Sequence, residues 1–320
     1  MLMSAVKNGL RLLVRVSEMY YQEKLTQQQI AAALGLSRPK ISRLLKAAED
    51  RGIVQIRIIN PLGETSALEE ELCRRFNLKE AVVALCGGGR DSKRAIGEAA
   101  AAYLERNVCA GNILGVSWGT TLQEMVNCLH PDGRCPDLTV FQMLGGVGQA
   151  EGDYHANELA RRIAEAFGGR WYPLPAPVVV SSSQVRDALL AEKRLAEIFD
   201  NFHRIDTALV GIGCLADSIL KKTGYLSDEE GKELAYFDAV GDVCSCFFDI
   251  EGRVCRTSLH DRVVGISPQA LRNIDTVIGM AGGADKIEAI TGALRGGFIN
   301  ILVTDELTAE RVLEHSSKSA

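Results

Sequence analysis

Residues 25–45 read LTQQQIAAALGLSRPKISRLL, and their spacing predicts two helices joined by a tight corner. Thr26 stands three residues before Gln29, so a hydroxyl and an amide can satisfy each other's free backbone N–H groups at a helix start. Ile30, Ala31 and Leu34 follow at helical spacing, and Gly35 ends the pattern. The connection Gly35-Leu36-Ser37 has room only for a sharp turn. Ser37 then caps a second helix whose Ile41, Leu44, Leu45 and Ala48 fall at i, i+3, i+4 and i+7. With that stripe turned inward, Pro39, Ser42, Arg43 and Lys46 face outward, and Arg38 and Lys40 lie on the first turn. Basic and small side chains along an exposed helix suit the major groove of double-stranded DNA, where Arg reads guanine O6 and N7 and its neighbours hold phosphates.

Upstream, Val6, Leu10, Leu13, Val14, Ser17 and Tyr21 share one face of a predicted first helix, with Lys7, Arg11 and Arg15 off it. Downstream, Ile53 to Ile59 alternate, Val54, Ile56 and Ile58 inward against Gln55 and Arg57 outward, as one strand of a wing does. Residues 1–59 therefore read as a winged helix-turn-helix. Residues 1–60 hold ten Lys/Arg against four acids, a net of +6, while the whole chain nets −5, which leaves −11 for the remainder. A basic head on an acidic body points to a polyanion-binding module attached to a part with another task. A solvated face on a small helical domain accounts for the charges alone. It does not account for the coincidence of capping box, corner, second cap and basic exposed face.

The chain is 320 residues long, 47% hydrophobic and 24% charged, enough for one large core or two unequal ones. It contains no run of eighteen apolar residues, and Lys7, Arg11 and Arg15 interrupt its N-terminal apolar positions, so neither a membrane span nor a secretion signal is expected. Nine cysteines, odd in number and scattered through apolar runs, read as reduced core thiols of a cytoplasmic protein. Cys244 and Cys246 form only a C-x-C, which on a strand directs both thiols to one face; no zinc-type spacing occurs.

After Asn60-Pro-Leu-Gly63, taken with its flank as a linker over 60–66, a short amphipathic helix (Leu68, Leu72, Phe76) opens a body spanning 67–320. There, apolar runs alternate with amphipathic segments: Ala81–Cys86, Ile113–Ser117, Leu138–Leu144, Thr207–Ile212, Val243–Phe248, Thr276–Met280 and Ile299–Thr304. The alternation predicts a mostly parallel, doubly wound α/β domain. Several runs end in glycine, on the sheet edge where ligands bind. Two of these loops lead straight into helices. Gly119-Thr120-Thr121 places free amides and hydroxyls at one helix start, and Gly282-Gly283-Ala-Asp-Lys286 places an ammonium within a turn of another. Both are candidate phosphate seats. Neither G-x-x-x-x-G-K-[ST] nor a G-x-G-x-x-G after a strand is present, so nucleotide cofactors are not expected, nor is a metal.

Taken together, the head quoted above, the segments GVSWGTT (115–121) and GDVCSCFFD (241–249), and the close AGGADKIEAITGALRGGFINILVTDE (281–306) resemble the SorC family of bacterial sugar-responsive transcriptional regulators over nearly the whole chain. The resemblance implies an effector domain similar in fold to sugar-phosphate isomerases and deaminases, binding a sugar or its phosphate, in a homodimer or homotetramer. It places the family's phosphate loop on Gly119, Thr120 and Thr121, its second anchor on Gly283 and Lys286, and a sugar-hydroxyl acceptor on Asp242. Gln142 and Gln149, beside Gly145-Gly146, are further candidates for that task. Departures from the family are Leu144, where some relatives carry a Schiff-base Lys, Cys246 in a place often held by glycine, and the bulky Trp118.

The function expected is a DNA-binding regulator, not an enzyme, whose operator affinity is set by the bound sugar. The alternative is an isomerase or deaminase with an appended DNA-binding domain. Asp242, Asp249 and His260 supply candidate bases for it, but Asp249 and His260 read equally as loop or surface residues, and the head gives catalysis no purpose.

Overall fold

The computed structural model describes residues 11–51, 53–54, 65–86, 91–148 and 155–318. Contacts divide the chain into two units, Met1–Asn60 and Pro61–Ala320.

In the first unit, residues 11–17 are helical and run into a π-turn at Glu18–Gln22, followed by helices Gln27–Leu34 and Arg38–Asp50. The Thr26/Gln29 capping box forms: the Thr26 amide donates to Gln29 Oε1 at 2.9 Å, and the Gln29 amide to Thr26 Oγ1 at 3.3 Å. Gly35 closes the helix at φ 63°, and the Ser37 carbonyl accepts the first bond of the next helix from the Ile41 amide at 3.1 Å. Val16, Met19, Ile30, Ala31, Ile41 and Leu45 make the core. The expected stripe of the first helix is corrected: Leu13 and Ser17 are buried, but Val14 is exposed, and Val16 and Met19 face inward instead. Leu13, Val16 and Ser17 fall at i, i+3 and i+4, so the inward face is rotated from the one expected and leaves Val14 off it, while Met19 is brought inward within the π-turn. Residues 55–59 of the expected wing, Arg57 among them, lie outside the described residues, as do Val6 and Leu10.

Among the described residues the second unit has ten strands. They are β1 (Glu80–Ala84), β2 (Ile113–Val116), β3 (Thr139–Gln142), β4 (Arg170–Tyr172), β5 (Thr207–Gly211), β6 (Gly213–Cys214), β7 (Gly241–Val243), β8 (Cys246–Phe248), β9 (Thr276–Met280) and β10 (Ile301–Asp305). Seven of them form a parallel sheet in the order β1-β10-β9-β5-β2-β3-β4. Side chains alternate across it. Leu114, Val116, Leu209, Ile278 and Val303 join a core with helices Ser92–Asn107, Thr120–Asn127 and Ala156–Phe167. Ala208, Val210, Val277 and Leu302 join the opposite core with helices Ser66–Phe76, Ile287–Arg295 and Glu306–Lys318. Burial on both faces explains the near-continuous apolar runs of the strands. The first of these helices begins at Ser66, inside the stretch read as linker.

Two strand readings are corrected. The run Val243–Phe248 is not one strand but the hairpin β7–β8, antiparallel and joined to β6, with Cys244 and Ser245 as its turn at φ 52° and 59°. Cys244 and Cys246 therefore do not share a strand face. Edge strand β4 was not expected, because its three residues Arg-Trp-Tyr show no apolar run.

Candidate functional site

In the head, Ser37, Arg38, Pro39, Lys40, Ser42, Arg43 and Lys46 are all exposed, while Ile41, Leu45 and Ala48 are buried. One helix thus offers a continuous face of two Arg, two Lys and two small polar side chains, fixed from behind by its apolar stripe. The Arg43 Nε lies 3.4 Å from the Pro39 carbonyl and leaves the rest of the guanidinium outward.

In the body, β2, β5 and β9 end beside one another, and a cavity of about 120 Å³ opens there. A water needs on the order of 10–15 Å³ by this measure, so the space suits a small polar molecule. Ser117, Trp118, Gly119, Thr120 and Thr121 form one wall, Gly211-Ile212-Gly213 another, and Asp242, Cys244, Met280 and Lys286 the remainder of the interior. Asp217 and Lys222, both exposed, stand at the rim, and Ser218, Ile219 and Leu220 between them complete the lining.

Each wall follows from local structure. Gly119 has φ 148°, a backbone conformation open to glycine, and it precedes the helix Thr120–Asn127. The first-turn amides of that helix have no intrahelical acceptor and stand at the positive end of its dipole. Ser117, fully buried, ties the two strand ends together: its Oγ accepts from the Gly211 amide and donates to the Trp118 carbonyl, each at 3.3 Å. Lys286 closes the short turn Ala284–Lys286 before helix Ile287–Arg295, and its Nζ donates to the Ile212 carbonyl at 2.9 Å.

Asp242 sits on β7, paired in register with Gly213. Burial pushes its carboxyl up to about 6, opposed by the Ser245 amide, which donates to Oδ2 at 3.2 Å, and by the charge of Lys286. The Cys244 thiol is pushed up mainly by burial, so it is a neutral wall residue and not a thiolate. The Asp217 carboxyl is held below its usual range, first by the hydrogen bond from Lys222.

Of the effector residues named from sequence, Gly119, Thr120, Thr121, Asp242 and Lys286 come together on this cavity. Gly283 and Gln142 do not. The Gly283 amide donates to Thr308 Oγ1 at 2.9 Å, so it is engaged in the fold. Gln142 is buried with its amide between the Leu144 carbonyl and the Leu174 amide, a bridge between backbone segments. Gln149 lies outside the described residues. Leu144 is fully buried and pairs with Gly265. Asp249 accepts from the amides of Glu251 and Arg253, and neither it nor His260 lines the cavity. Sequence reasoning missed Asp217, Ser218, Lys222 and Met280. Met280 ends a recognised strand and was within reach, but nothing in the spacing of 217–222 marks a cavity rim. Among the described residues no group of three or more His, Cys, Asp or Glu is placed to hold a metal, and no helix is long and apolar enough to cross a membrane.

The sugar-binding domain family matches residues 60–314, and the Crp-like helix-turn-helix domain matches residues 10–62. The chain is 34% identical over 310 residues to the deoxyribonucleoside regulator of Bacillus subtilis, covering 95% of this chain and 97% of that one. It is also 34% identical over 312 residues to the sorbitol operon regulator of Klebsiella pneumoniae, covering 96% and 99%. The crystal structure of the full-length sorbitol operon regulator SorC from Klebsiella pneumoniae superposes with a TM-score of 0.76, covering 95% of this chain and 98% of that one.

Proposed function

The chain belongs to the SorC family of sugar-binding transcriptional regulators, and from that premise we propose that a sugar phosphate bound in the β2–β5–β9 cavity sets its affinity for a DNA operator. The observation that carries this reading is the convergence of a free helix start, an ammonium and a carboxylate on one cavity. The amides after Gly119, with the Thr120 and Thr121 hydroxyls and Lys286, suit a phosphate. Asp242, at the same cavity, suits the sugar hydroxyls, which donate to a carboxylate. The exposed helix face from Ser37 to Lys46 is the operator surface in this reading, with Arg57 as a wing contact.

Control requires only linkage. If the effector binds one arrangement of a homo-oligomer better than another, and DNA also discriminates between them, occupancy shifts the DNA-competent population by the differential affinity. A coupling of about 1–3 kcal/mol changes operator affinity about 5–150-fold. In this reading the protein is a cytoplasmic sensor and releases its effector unchanged.

The test is thermal unfolding of the full chain against free and phosphorylated pentoses and hexoses, followed by DNA titration with the compound that stabilises it. A phosphorylated sugar is expected to raise the midpoint, and Lys286→Ala to abolish the rise. An undiminished rise in that variant removes the anchor, and conversion of the sugar phosphate into product favours the enzyme reading instead.

A further inference from the structure

Asp217 ends the 3-10 turn Leu215–Asp217, and Lys222 ends the four-residue helix Ile219–Lys222. Both line the cavity rim, and the Lys222 Nζ is ion-paired with Asp217 Oδ1, so the pair straps together the six-residue segment 217–222. We propose that Asp217 is a built-in competitor for the cavity's cations, holding Lys222 at the rim until a phosphorylated effector takes that ammonium from it. The inference rests on the phosphate reading above and adds to it a residue that opposes binding.

Three ammonium groups act on Asp217. Beyond the Lys222 hydrogen bond, the charges of Lys222, Lys286 and Lys93 hold its carboxyl down against the opposing effect of burial. One carboxylate therefore answers to several cations at the exposed edge of the cavity. The Asp217 and Lys222 side chains are 51% and 61% exposed, so the pair is in high dielectric and cheap to break. A phosphate monoester carries up to two charges and three acceptor oxygens against the single charge of the carboxylate, and it outcompetes Asp217 for the same donor. The exchange keeps Lys222 paired in both states and moves only the rim. The phosphate must displace the Asp217 carboxylate from that donor, and this competition raises the effector concentration needed for occupancy.

The experiment is calorimetric titration of the full chain with inorganic phosphate at low ionic strength. Asp217→Asn is expected to bind about fivefold more tightly and Lys222→Gln about fivefold more weakly, the size of one exposed charge pair. In the Lys222→Gln background, Asp217→Asn is expected to give little further gain. Equal tightening in both backgrounds means a general field effect and overturns the competition for Lys222. Unchanged affinity in Asp217→Asn, with phosphate still lost in Lys286→Ala, overturns the competitor while the phosphate seat stands. Failure of both wild type and Asp217→Asn to bind phosphate overturns both readings. Asp217 and Lys222 are exposed, so their variants are expected to fold, and an unaltered urea midpoint checks this for them and for Lys286→Ala, whose side chain is half-buried.

Discussion

The Oδ1 oxygen of Asp242 lies 2.3 Å from the point where a β-carbon on Gly213 would stand. The missing side chain at one position is the space that the carboxylate at the other occupies. Gly213→Ala therefore pushes the Asp242 carboxylate off its place without touching the helix starts on the cavity. Overpacking of this kind costs about 1–3 kcal/mol. The expected result is effector affinity lowered at least tenfold with a modest loss of stability, read by titration and by urea unfolding of the same preparation. Full affinity in a folded Gly213→Ala protein would remove Asp242 from the binding reading.

Burial raises the Asp242 carboxyl to about 6 from an ordinary 3.8, so the native state holds a proton there that the unfolded state has already released between about pH 4 and 6. Stability from this group is fully present below about pH 4, falls as pH rises through 6, and stays lower above it. Asp242→Asn removes the ionisation while its side-chain oxygen can still accept from the Ser245 amide. The difference in unfolding free energy between variant and wild type should rise across that window, by about 3 kcal/mol in favour of the variant by pH 7. Urea unfolding of both proteins at several pH values checks it, and a flat difference would contradict the cause given for the shift.

Much of this was legible in sequence because it rests on periodicity and turn chemistry. Thr26 with Gln29, the Gly35 stop and the apolar runs of the parallel strands each follow from one local rule. The Gly119–Thr121 loop and Lys286 were legible as neighbours at the strand ends for the same reason, because each stands at a strand-to-helix junction. What was hidden depends on contacts between distant segments. Gln142 looks free beside glycines, yet the Leu174 amide, far along the chain, claims its oxygen. Val14 is exposed because the inward face of its helix runs through Leu13, Val16 and Ser17, a choice of face set by packing against the other two helices. Asp217 and Lys222 meet across a short irregular segment, where charge alone carries no positional signal.

Arg43 and Lys46 test the operator surface separately. Both are exposed on the helix held by Ile41 and Leu45, so replacing them leaves the head's core intact. Arg43→Ala is expected to weaken operator binding by about 1–3 kcal/mol and to relax the choice of one base pair, as loss of a base contact does. Lys46→Ala is expected to weaken all sequences alike and to reduce the salt dependence by about one ion. Effector affinity of the body should be unchanged in both. Operator affinity equal to wild type in Arg43→Ala would move the recognition surface elsewhere.

Ser245 offers a test in the opposite direction, a substitution expected to stabilise. It occupies the second turn position of the β7–β8 hairpin at φ 59°, next to Cys244 at 52°, a geometry that two-residue hairpins usually give to Asn or Gly. A left-handed conformation costs a residue with a β-carbon about 1–2 kcal/mol. The Ser245 hydroxyl adds to this, being buried with no hydrogen-bond partner among the described residues. Its backbone amide, however, is the donor to Asp242, and any residue with an N–H supplies that. Ser245→Gly should therefore keep the Asp242 contact, relieve the strained φ and remove the unsatisfied hydroxyl, raising stability by about 1–2 kcal/mol. If effector affinity also stays at the wild-type value, Ser245's only tie to the site is its amide. If affinity falls while stability rises, the serine hydroxyl is itself a ligand contact, and its strained setting is then part of the binding site.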